Sequence, residues 1–90
     1  MKSLNITITG KVTKVGFRYF IKQRADKFNI TGSVRYSIPN SIIVKACGNP
    51  DELDEFLKYC RLGTAFSEVK EIEVTETGSK EYQSFEIIES

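Results

Sequence analysis

Ninety residues carry 13 Lys and Arg against 12 Asp and Glu, with 40% apolar side chains and no His. That composition describes one globular domain over residues 1–90, not a disordered or fibrous chain. The missing imidazole removes His-based triads, HExxH metal sites and imidazole acid–base chemistry at neutral pH.

The first periodic segment is Leu4, Ile6 and Ile8 alternating with Asn5, Thr7 and Thr9, a strand with one buried face that ends near Gly10. Phe17, Phe20, Ile21, Ala25 and Phe28 then fall at the spacing of a helical apolar stripe. Gly32 opens a second extended piece with Val34, Tyr36 and Ile38 on one face. Pro39-Asn40-Ser41 predicts a turn, and Ile42 to Cys47 the returning strand, so residues 33–47 form a hairpin. The next helix has the clearest start: Asn49 as N-cap, Pro50 at the first helical position and Glu52 three residues after the cap. Leu53, Phe56, Leu57 and Cys60 make its inner face, and Gly63 its stop. Ile72 and Val74 mark another strand, Phe85 and Ile87 a short last one. The order β-α-β-β-α-β plus a short strand predicts an α+β, ferredoxin-like split βαβ fold: an antiparallel sheet with two helices on one face. This fold hosts many functions, so function has to come from a site.

Charge narrows the search. Residues 1–45 hold nine basic side chains against Asp26 alone, a net +8, while residues 46–90 hold four against eleven acids, a net −7. Within the basic half, Gly10-Lys11-Val12-Thr13-Lys14-Val15-Gly16-Phe17-Arg18 joins the first strand to the first helix. A Gly-containing loop there aims backbone N–H groups inward at the positive end of the helix dipole. Arg18, in the first turn, can clamp two oxygens of a phosphate or carboxylate. Lys11 and Lys14 raise the local potential. The loop is not a Walker motif, because Gly10 and Gly16 are one residue too far apart and no Lys-Ser/Thr pair follows Gly16. The physical reading is an oxyanion cradle.

The same residues resemble the acylphosphatases. That family's G-x-V-Q-G-V-G-F-R loop is matched at Gly10, Val12, Val15, Gly16, Phe17 and Arg18, and its G-W-V-R-N motif at Gly32, Val34 and Arg35. Weaker echoes follow between Val44 and Ile87, and the resemblance as a whole spans about Leu4 to Ile88. The resemblance implies the fold already read from periodicity. It also implies hydrolysis of the carboxyl–phosphate anhydride of small acyl phosphates, without metal or cofactor. The expected ligands are a small acyl phosphate or inorganic phosphate. Carried over residue by residue, the backbone N–H groups of Lys14, Val15, Gly16 and Phe17 and the guanidinium of Arg18 hold the phosphoryl group. The chain departs from the family at Thr13 for Gln, Lys14 for Gly and Ser33 for Trp. Tyr36 stands where the family places the Asn that holds the attacking water. A phenol oxygen lies several ångströms farther from the backbone than an Asn amide, so an intact phosphate cradle with an impaired water site is expected.

Two other function classes compete. One is a non-catalytic module of the same fold that binds a phosphorylated or carboxylated ligand or a protein. The other is RNA binding, since Lys14 to Phe20 superficially resembles the RNP1 stretch of RNA-recognition motifs. RNP1 belongs on a third strand, however, and here the stretch enters a helix, so no nucleic-acid partner is expected. The N-terminus has no signal-peptide pattern, and no run approaches the ~18 apolar residues of a membrane span. Cys47 and Cys60 cannot supply four zinc ligands and are expected as reduced core thiols. The expectation is a cytoplasmic monomer.

Overall fold

The computed structural model describes residues 1–13, 16–78 and 82–89. Its elements are β1 (Lys2–Lys11), α1 (Phe17–Lys27), β2 (Thr31–Ser37), β3 (Ser41–Gly48), α2 (Pro50–Leu62), β4 (Glu68–Thr77) and β5 (Phe85–Ile87). The strands form one sheet in the order β4-β1-β3-β2-β5. The β1–β3, β1–β4 and β2–β3 pairs are antiparallel. The short final strand joins β2 in parallel, so the expected antiparallel sheet becomes a mixed one.

Side-chain alternation places the core. Leu4, Ile6 and Ile8 of β1 stand opposite Ala46, Val44 and Ile42 of β3, and Val44 stands opposite Val34 of β2. All seven are buried on one face of the sheet. Onto that face α1 lays Phe17, Ile21 and Ala25, and α2 lays Leu53, Phe56 and Cys60, so strands and helices share one core. Phe85 of β5 completes it, edge-on to Phe56 at 6.2 Å between ring centroids. The helices are also tied to each other. The Arg24 guanidinium lies 4.5 Å from the Tyr59 ring centroid, and Tyr59 stacks on Phe28 at 5.6 Å.

Three local details differ from the periodicity reading. Phe28 is the C-cap of α1 and not part of its helical run. Ile38 does not extend β2: Ser37 pairs with Ser41, so residues 38–40 are the hairpin connection, and Ile38 is 93% exposed. Its β-branched side chain and its place before Pro39 favour extended backbone, but the register of the hairpin leaves it no strand partner. Asn49 is the N-cap of α2, yet its side chain does not bond the backbone. Its Nδ2 donates to Glu52 Oε1 at 3.0 Å, so the two capping-box side chains satisfy each other. The RNP1-like stretch, where described, runs into α1 with Phe17 in the core, and β3 carries no aromatic residue. Among the described residues no helix is long and apolar enough to cross a membrane.

Both thiols are free and buried. Cys47 pairs with Ser3, on the face turned away from the helices, whereas Cys60 sits in the core under α2, so the sheet stands between them. Burial pushes the Cys60 thiol from its ordinary 9.0 up to about 12. A thiol held neutral in the fold but free to ionise when unfolded favours the unfolded chain as pH rises past 9. Native Cys60 should therefore resist a thiolate-selective reagent at neutral pH and react on unfolding. Urea melts should also show stability falling between pH 9 and about 12 less steeply in Cys60→Ala than in the parent.

The start of α1 gives a second test. Gly16, its N-cap, has φ 72° and ψ 18°, in the left-handed region, and among the described residues beyond its chain neighbours no atom lies within 4 Å of where a Cβ would stand. Space is available, so the cost of a side chain there is conformational alone. Gly16→Ala should destabilise the fold by ~1–2 kcal/mol in urea denaturation, and Gly16→Asn by less, because Asn tolerates this region.

Candidate phosphoryl-binding site

The loop between β1 and α1 is fastened at both ends. Val12 and Phe17 are both fully buried. At Gly10 the pairing of β1 with β4 shifts register, and its N–H donates to the carbonyl of Asn40 in the β2–β3 connection at 3.1 Å. The backbone there has φ 142°, and a Cβ would strike the Glu68 carbonyl oxygen, so the position accepts only Gly. The Val12 N–H donates back to the Gly10 carbonyl at 3.0 Å. Lys14 and Val15, expected in the cradle, lie outside the described residues.

The two helices begin in opposite electrostatic styles. The first turn of α2 contains Asp51 and Glu52, which offset its dipole. In α1 the N-cap makes no side-chain bond and the first turn holds no acid. The first N–H groups of a helix have no partner inside it. Those of α1 have neither a capping side chain at Gly16 nor an acid in the first turn to offset their positive potential. A phosphoryl group or carboxylate is the complement of such an end.

Arg18 and Tyr36 are brought together. Phe17 points into the core, so Arg18, one residue on, turns toward β2 and β5. Tyr36 pairs with Ile42 and shares the helix-side face of β2 with Val34, while Arg35 and Ser37 take the other face. Consequently the Arg18 guanidinium lies over the Tyr36 ring, 4.0 Å from its centroid. The Arg18 side chain is only 15% exposed, and its Nε is buried without a hydrogen-bond partner. Its Nη1 lies 3.7 Å from Oε1 of Glu89, which is 72% exposed. A planar guanidinium stacked by one face keeps its N–H edge available to an oxyanion.

Glu89 was not identified from sequence. Its approach depends on the parallel pairing of β5 with β2, and no local pattern signals that. A depression of about 540 Å³ lined by Thr9, Gly10, Lys11, Thr13, Asn40, Glu68 and Lys70 adjoins the loop, with Lys11 and Lys70 as its cations. Another, of about 360 Å³, includes Ser3, Asn5, Lys45 and Tyr82 but neither Arg18 nor the loop, and so does not serve this site. Among the described residues no group of three or more His, Cys, Asp or Glu could hold a metal ion.

Comparison with known proteins bears on the family and the fold. A sequence model of the acylphosphatase family matches residues 4–87. An acylphosphatase of Bacillus licheniformis is 38% identical over 86 residues, covering 96% of this chain and 93% of the relative. One of Bacillus subtilis is 35% identical, covering 100% of both chains. The crystal structure of acylphosphatase from Bacillus subtilis superposes with a TM-score of 0.95 at 34% identity, over 99% of this chain and 100% of that one. Full-length HypF, in a phosphate- and nucleotide-bound form, matches with a TM-score of 0.90 at 30% identity, over 98% of this chain but 12% of that protein. With the fold matched over nearly its whole length and the family model spanning residues 4–87, the chain belongs to the acylphosphatase family.

Proposed function

We propose that this protein binds the phosphoryl group of small acyl phosphates at the N-terminus of α1 and hydrolyses the carboxyl–phosphate bond slowly, because Tyr36 fills the place of the residue that would hold water. Gly16 and Phe17, with Lys14 and Val15 before them, present backbone N–H groups to the phosphoryl oxygens, and Arg18 clamps them with its guanidinium. In the reaction, water oxygen bonds to phosphorus, the phosphorus–carboxyl oxygen bond breaks, and the carboxylate leaves with the electron pair. Of the two water protons, one stays on the new P–OH and the other passes to a phosphoryl oxygen, giving dihydrogen phosphate. A carboxylate is a good leaving group, so positioning and charge stabilisation supply most of the acceleration.

The observation that carries the reading is the stack of Arg18 on Tyr36 at 4.0 Å. It favours phosphate binding, since the ring supports the guanidinium, and it disfavours turnover, since an aromatic face holds water poorly. Positioning is worth several kcal/mol of barrier, so losing the water holder costs orders of magnitude in rate. Membership of the family supports the substrate class. The same stack favours the second reading, a phosphate- or carboxylate-binding module without turnover.

The test is an aryl acyl phosphate assay paired with phosphate titration. Arg18→Ala should weaken phosphate binding ~30-fold or more, the scale of ~2–3 kcal/mol for lost charge-assisted hydrogen bonds. Tyr36→Asn should raise hydrolysis ~10- to 100-fold without strengthening phosphate binding much. Robust parental turnover that falls in Tyr36→Asn would sink the impaired-site reading. Turnover indifferent to Arg18→Ala would sink the cradle. Phosphate binding with no turnover in either the parent or Tyr36→Asn would establish the binding module.

A further inference from the structure

The segment after β5 approaches the same site. Phe85 pairs with Gly32 and Ile87 with Val34, so alternate residues 85 and 87 share the helix-side face of β2. The Ile88 N–H donates to the Val34 carbonyl at 2.9 Å, which keeps the two segments in step beyond the strand. One further alternation brings Glu89 level with Tyr36, and its carboxylate lands 3.7 Å from Arg18 Nη1. The placement is well anchored. Phe85 is buried in the core, the Gly32 N–H donates to the Ser84 carbonyl at 2.9 Å, and Lys22 Nζ donates to the Phe85 carbonyl at 2.9 Å. Arg18 and Lys22, one turn apart on α1, both face this segment.

We propose that Glu89 is a built-in competitor for the oxyanions that Arg18 receives, so that the chain lowers its own affinity for phosphoryl ligands. The inference rests on Arg18 as the oxyanion-holding side chain. At 3.7 Å the carboxylate is attracted by charge but is longer than a hydrogen bond. A phosphoryl oxygen in charge-assisted contact would sit at about 2.7–2.9 Å and hold Arg18 more strongly. Glu89 is largely exposed, and ion pairs of that kind are weak, so a ligand can displace it. A doubly charged phosphate beside an undisplaced carboxylate would meet like-charge repulsion. By either route the Glu89 charge opposes binding.

Titration with inorganic phosphate at low ionic strength tests this in three variants of the full chain. Glu89→Gln should tighten binding about two- to fivefold, the range expected for displacing an exposed ion pair, and the gain should shrink at high salt. Glu86→Gln removes the same charge from the neighbouring position of β5, which pairs with Ser33 on the opposite face of the sheet, and should leave the affinity near that of the parent. Equal gains in Glu86→Gln and Glu89→Gln would overturn the proposal in favour of net charge alone. Unchanged binding in Glu89→Gln, with binding still lost in Arg18→Ala, would overturn it, and weaker binding would overturn it and make Glu89 a support for Arg18. Phosphate affinity indifferent to Arg18→Ala would instead fail the oxyanion reading itself.

Discussion

The site depends on where the Phe17 ring goes. Its burial, followed one and two turns later by Ile21 and Ala25, fixes the rotation of α1 about its axis. Once that rotation is set, Arg18 has one direction available, toward β2 and β5. The other half of the arrangement is the register of the β2–β3 hairpin. Val34 opposite Val44 and Tyr36 opposite Ile42 put both on the helix side. A slip by one residue would turn Tyr36 to the open face and bring Arg35 or Ser37 under the helix. The stack between Arg18 and Tyr36 therefore follows from core packing on two elements that meet only in the folded sheet.

Charge obeys the same logic. A net +8 on residues 1–45 and −7 on residues 46–90 suggests two oppositely charged surfaces. The split βαβ topology interleaves the halves instead. Lys2 of β1 lies 3.5 Å from Glu76 of β4, and Arg18 lies 3.7 Å from Glu89. Arg24 and Lys27 sit in the last turn of α1, where cations offset the negative end of the dipole. Among the described residues, the start of α1 is the helix end without such an offset from its own turn, because Gly16 offers no capping side chain and no acid follows in the first turn. An anion-seeking site is thus a local omission as much as a local excess of positive charge.

The parts legible in the sequence were those governed by short-range rules. Alternation marked the buried face of β1, the apolar run Ile42 to Cys47 marked β3 as a strand without its face, helical spacing marked the inner faces of α1 and α2, and Gly63 marked the end of α2. Gly10 and Gly16 were recognisable as backbone positions of a special loop, and both have positive φ. Ile38 was misplaced because its β preference is local, whereas the closing pair Ser37–Ser41 is set by the whole hairpin. Asn49 and Glu52 have the spacing of a capping box, but spacing does not decide whether a side chain bonds the backbone or its neighbour. Glu89 was invisible for a stronger reason. It meets a residue 71 positions earlier through a three-residue parallel strand, and a parallel register leaves no turn signal between its partners.

In the proposed function Tyr36 separates affinity from turnover. A ring under the guanidinium restrains Arg18 before any ligand arrives, so less side-chain entropy is lost when an oxyanion binds. That gain applies equally to substrate, product phosphate and transition state. Binding that is uniform in this sense improves affinity without raising the rate of the chemical step. Holding water in line with the phosphorus–carboxyl bond acts only on the transition state, and on the proposed reading Tyr36 does not supply it. The role proposed for the Glu89 carboxylate falls on the first quantity, because what it meets is Arg18. On the proposed reading, affinity in this site is adjusted from two sides, by the ring beneath Arg18 and the carboxylate at its edge, while turnover is set separately by whatever holds the water.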